Sequence, residues 1–113
     1  MTEQFPDDKR GGEDRTVFHI LSTTLDPLKS AEFADRAQVL VENVVVGLEG
    51  FVEGRVFQAD DGKVVVLITA WKSRHLWAKA HWNEHVQALI AGYAESGATF
   101  IDSMCYGRSK VVA

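Results

Sequence analysis

Two β-forming runs, Phe51–Ala59 and Val64–Lys72, stand on either side of Asp61-Gly62. The glycine tolerates the positive φ of a two-residue hairpin turn, so the centre of this chain is constrained to be an antiparallel pair. The flanking residues must complete it. Before it, Val17, Phe18, Ile20, Leu21, Thr23 and Thr24 make Thr16–Leu25 a strand, stopped by Asp26-Pro27. Between Leu28 and Leu48, the residues Phe33, Ala34, Ala37, Leu40, Val41, Val44 and Leu48 fall on one side of a helical wheel, and Glu32, Asp35, Arg36, Glu42 and Asn43 on the other. After the hairpin, Ser73 is placed to cap a second helix running to about Glu95, and Gly97 to stop it before a last strand, Thr99–Tyr106. The order β-α-β-β-α-β predicts an α+β fold, a ferredoxin-like antiparallel sheet with two helices on one face.

Pairing across Asp61-Gly62 sets Ala59 opposite Val64 and alternates side chains from there. One face then carries Val52, Gly54, Val56, Gln58, Val65, Leu67, Thr69 and Trp71, the other Phe51, Glu53, Arg55, Phe57, Val66, Ile68 and Ala70. Both are too apolar for water, and two helices cover only one of them. The open face is therefore expected to pack on a second copy, making a homodimer.

Length and composition narrow the rest. A chain of 113 residues builds one core. Met1 to Arg15 is charged, with little to bury, and is expected to be a disordered tail; residues 16–107 form the domain and 108–113 a short C-terminal tail. The net charge of -4, without a run of Lys or Arg, argues against nucleic acid. No apolar run suits a membrane or a signal peptide. A single cysteine, Cys105, fits a reducing cytoplasm. Neither a dinucleotide fingerprint, a phosphate loop nor a nucleophile elbow occurs.

Reactive residues concentrate between Trp71 and His85. On a continuous second helix Ala78, Trp82, Val86, Leu89 and Tyr93 face inward, with His81 and His85 one turn apart at the margin. His81-Trp82-Asn83-Glu84-His85 also matches the H-x-x-E-H pattern of zinc hydrolases, and the pair could hold a metal with His19 or His75; against this, two helices supply no distant third ligand or large cleft. Trp71 shares a face with Thr69, and Gly54, opposite Thr69, is expected to leave space beside the indole. His19 lies among apolar neighbours on the first strand, and Asp102, Met104 and Tyr106 share a face of the last. Asp102 needs a partner there, for which Arg55 is the candidate. Cys105 alternates away from Tyr106 and is expected to be a buried, inert thiol.

Gly50-Phe51-Val52-Glu53-Gly54, the stretch Val65-Val66-Leu67-Ile68-Thr69-Ala70-Trp71-Lys72-Ser73 and His81 resemble the antibiotic-biosynthesis monooxygenase family over roughly Thr16 to Gly107. The resemblance implies a dimeric α+β barrel, in which each protomer's open sheet face packs on its partner. It also implies oxidation of a small aromatic substrate, such as a quinol, anthrone or polyketide, by molecular oxygen without metal, flavin or other cofactor. Trp71 matches the strand-three tryptophan associated with activity; the asparagine that often accompanies it is absent, with Thr69 and Leu67 at the alternating positions. A haem-degrading branch uses an asparagine on the first strand and a histidine late in the second helix, where this chain has Leu89 and Ile90. Such oxygen chemistry requires a base, an apolar pocket and a donor for a developing oxyanion. The candidates are Trp71, His81 and His85 for catalysis, and His19, Thr69, Trp77 and Tyr106 for substrate binding, with His19 also available as base. The alternative is a non-catalytic dimeric module that binds a small hydrophobic ligand or assists a partner enzyme.

Overall fold

The computed structural model describes residues 15–107; the tails expected at residues 1–15 and 108–113 lie outside them, except for Arg15. The elements run β1 (Val17–Thr24), α1 (Pro27–Asn43), a 3-10 turn (Val45–Gly47), β2 (Phe51–Gln58), β3 (Val64–Trp71), α2 (Arg74–His81), α3 (Glu84–Glu95) and β4 (Thr99–Tyr106). The four strands form one antiparallel sheet in the order β2-β3-β1-β4, so each helical connection skips over a neighbouring strand, as a ferredoxin-like fold requires.

Local chemistry sets the ends of these elements. Asp26 caps α1 by accepting from Leu28 N at 2.9 Å, with Pro27 in the first turn. The helix stops before the β-branched run Val44-Val45-Val46, short of the expected Leu48. The hairpin keeps the expected register, with Ala59 N bonded to Val64 O, but its turn spans four residues, Asp60–Lys63, and Gly62 takes φ +73. A bulge at Val52 pairs Phe51 with Trp71 and Glu53 with Ala70. Phe51 and Val52 therefore exchange their expected faces: Phe51 packs on Trp71 beneath the helices, and Val52 is exposed.

The second helix is broken. Asn83 accepts from both His85 N and Val86 N, ending α2 and starting α3. The break undoes the single-helix wheel: Trp82 turns outward and is 74% exposed. It also puts His81 and His85 on different helices, so the H-x-x-E-H spacing has no common helix face on which to hold zinc. Among the described residues no group of three His, Cys, Asp or Glu side chains is placed to hold a metal ion, and no helix is long and apolar enough to cross a membrane.

Beneath the helices the core has two clusters, one around Phe33, Val65 and Tyr93, the other around Val17, Val45, Trp71 and Ala80. Among the described residues no helix covers the opposite sheet face. Phe57 and Ile101 are large apolar residues exposed on it, and Cys105, expected to be buried, is also exposed in the single chain. It alternates onto the face that no helix of the described residues covers.

Candidate active site

The second core cluster surrounds a small hollow between the sheet and α1, α2 and α3. Its volume is about 60 Å³, and His19, Thr69, Trp71, Trp77, His81 and Asp102 all line it, among aliphatic residues that include Leu40, Val41 and Leu67. Five of the seven residues singled out from sequence thus converge on one cavity. His19 and Thr69 are direct cross-strand partners on β1 and β3, which puts their side chains next to one another on the covered face. Trp77 stacks at a tilt on His19, with ring centroids 4.9 Å apart, and His81 follows at 5.4 Å from Trp77.

The other two fall elsewhere. His85 is exposed, 3.8 Å from Glu84, and borders a separate open groove of about 490 Å³ between α1 and α3 that contains no tryptophan. That groove is larger, but the reactive side chains do not gather there. Tyr106, at the end of β4, lies beneath the guanidinium of Arg15 at 4.3 Å and does not line the cavity.

Two polar pairs organise the hollow. Trp71 Nε1 donates to Thr69 Oγ1 at 2.9 Å in a fully buried bond. The threonine oxygen accepts there, which leaves its own hydroxyl hydrogen to donate into the cavity. His19 Nε2 bonds Asp102 Oδ1 at 2.8 Å. Asp102 therefore finds its partner in His19, not Arg55: Arg55 pairs with Ile68 in the register and lies on the opposite face. The signal for this was the diagonal placement of His19 and Asp102 on adjacent strands, invisible until β1 and β4 are known to be neighbours.

Burial lowers the pKa of His19 below its ordinary 6.5, against the bond and charge of Asp102, which raise it, while the charge of His81 adds to the lowering. The imidazole is thus neutral near pH 7 and available as a base or acceptor. Gly54 does not leave open space beside the indole. A Cβ there would meet Val41 at 3.3 Å and the Phe51 ring and Thr69 at 3.4 Å, because the bulge has swung Phe51 over it. The cavity lies on the other side of Thr69, toward His19 and Trp77.

The family model for antibiotic biosynthesis monooxygenases matches residues 16–92, most of the described chain. No curated protein sequence matches significantly. Solved structures share the fold at low identity. A conserved protein from Methanosarcina mazei is 14% identical with a TM-score of 0.71, over 88% of this chain and 99% of that one. SnoaB, a cofactor-independent oxygenase from Streptomyces nogalater, is 15% identical with a TM-score of 0.67, over 86% and 97%. Rv0793 from Mycobacterium tuberculosis is 13% identical with a TM-score of 0.73, over 86% and 99%.

Proposed function

The chain belongs to the antibiotic biosynthesis monooxygenase family, and from that premise we propose that it is a cofactor-independent monooxygenase acting on a small electron-rich aromatic substrate. The observation that carries the reading is the convergence of two histidines, two tryptophans and a hydrogen-bonding threonine on one apolar cavity. A histidine, His19 or His81, removes a phenolic proton; the aromatic anion then passes an electron to dioxygen. Thr69 donates to the anionic oxygen, and Trp71 and Trp77 provide walls that exclude water.

A hollow of about 60 Å³ is smaller than the roughly 150 Å³ that accommodates benzene. In this reading the aromatic ring enters as α2, a helix of two turns bounded by the break at Trp82-Asn83, moves outward with Trp77 and His81. The dimer belongs to the same proposal: a second copy covers the open face at Phe57, Ile101 and Cys105. A reducing cytoplasm suits that thiol.

Oxygen uptake by chelator-treated protein, measured with a panel of hydroquinones and anthrones, tests the activity. Turnover that survives chelation and falls in His19 and Thr69 variants supports it. Uptake no faster than the uncatalysed rate would replace it with the ligand-binding module.

A further inference from the structure

Two histidines face the cavity, and their surroundings differ. His81 sits at the C-terminal end of α2, half-buried, stacked on Trp77 and against the exposed Trp82. No described carboxylate bonds its ring. His19 is 7% exposed, anchored in the central strand β1 and bonded to Asp102, whose side chain is 59% exposed at the cavity's β4 side. A carboxylate only accepts hydrogen bonds, so the neutral imidazole carries its proton on Nε2, toward Asp102, and the lone pair resides on Nδ1. That nitrogen bonds no other described residue, and Thr69 lies directly across the sheet.

The geometry points to His19 and Asp102 as a base dyad for a phenolic hydroxyl, with His19 Nδ1 as the proton acceptor and Asp102 as the positioning residue. This rests on the reading of the cavity as a site for electron-rich aromatics. In the step the phenolic O–H bond breaks, an N–H bond forms at Nδ1, and the electron pair stays on oxygen as the phenolate. The imidazolium so formed keeps its Nε2–H on Asp102, whose charge compensates it, while Thr69 donates to the new anion. Fixing the proton on Nε2 matters because the opposite tautomer would present an N–H to the substrate and have nothing to receive its proton.

Burial favours the same assignment, since it keeps the ring unprotonated near pH 7. Among the described residues, Asp102 from β4 and His81 from α2 are the titratable groups that face it; every other described residue lining the cavity is apolar or, like Thr69, uncharged.

Anaerobic binding of 4-nitrophenol to the full chain, buffered below the pKa of the free phenol, reads the proton transfer without oxygen, because only the phenolate is yellow. Wild-type protein should bind it as phenolate. His19→Gln should cut the bound phenolate by at least about tenfold, and Asp102→Asn by several-fold with partial recovery in Asp102→Glu. Asp102 is half in solvent, so its variants fold even if the histidine variant does not. In parallel, ¹⁵N NMR of the imidazoles should show His19 with its proton on Nε2 in wild type and a mixture of tautomers in Asp102→Asn. A neutral bound phenol, no binding at millimolar concentration, phenolate binding indifferent to both residues, or an Nδ1–H tautomer in wild type would each overturn the dyad. Phenolate binding that depends on His19 without oxygen uptake would keep the dyad and remove the monooxygenase.

Discussion

The indole N–H of Trp71 donates to the hydroxyl of Thr69, two residues back on the same strand face, at 2.9 Å. The only polar hydrogen of the tryptophan is therefore already engaged, and the side chain is 3% exposed. Trp71 acts on the cavity as a wall and through the threonine it orients.

Thr69→Val keeps the shape of the side chain and removes that acceptor. The indole N–H is then buried without a partner, which costs about 1–3 kcal/mol. Thr69→Ser restores the bond and most of the stability. Denaturant midpoints of the two variants decide the matter, and equal midpoints would show that the bond contributes nothing.

Acid sensitivity follows from His19. Its folded pKa lies below the unfolded value of 6.5, so between the two the unfolded chain binds more protons. The contribution to stability is complete above about pH 6.5 and declines as pH falls from there through the folded value. Asp102→Asn removes the two influences that raise the pKa, and an NMR titration should place His19 lower still in that variant.

Tyr93 behaves in the opposite sense. Its hydroxyl donates to Glu32 at 2.5 Å, joining α3 to α1, and burial together with that carboxylate pushes its pKa up to about 12. The folded state holds its proton more tightly than the unfolded one, so stability is full below pH 10 and declines as pH rises toward about 12. Tyr93→Phe should cost about 1 kcal/mol at neutral pH, since the acceptor is half-exposed, and should lose that part of the alkaline slope. Thermal unfolding followed from pH 8 to 11 would show both.

Gly50 sets how closely α2 approaches the sheet. It adopts φ +90, and a Cβ would come within 2.7 Å of Leu76 Cβ. Gly50→Ala combines left-handed strain with a clash against α2 and should cost about 2–4 kcal/mol. A loss under about 0.5 kcal/mol in chemical denaturation would mean that α2 yields freely, since surface changes fall in that range.

The open face makes the last prediction. Phe57 is 45% and Ile101 62% exposed on the same side of the sheet. Phe57→Glu should convert a dimer to a monomer with little change in the far-ultraviolet circular dichroism. Sedimentation of the wild type as a monomer at micromolar concentration would refute the proposed interface.

Much of this was readable from local chemistry. Asp61-Gly62 set the hairpin register well enough to place Gly54 opposite Thr69, and Ser73 marked a helix start because a side-chain oxygen satisfies the first free N–H groups wherever it occurs. The same rule applied to Asn83-Glu84 inside the second helical run would have found the break that separates His81 from His85. The bulge at Val52 had no such signal. It arises because Phe51 packs on Trp71 under the helices, a contact between separate elements.

The sequence by itself determined the four strands, the hairpin and the two helical connections in their order, though not the break in the second connection, and that one sheet face is apolar beyond what two helices could cover. These are properties of neighbours in the chain: propensity, capping and the period of the apolar residues. Only the tertiary structure decided that Asp102 meets His19, that Thr69 holds the indole of Trp71, and that Tyr106 and His85 stand apart from the cavity. Asp102 and His19 are 83 positions apart. Their meeting depends on β4 docking beside β1 in one register, and register between distant strands is chosen by the whole core at once.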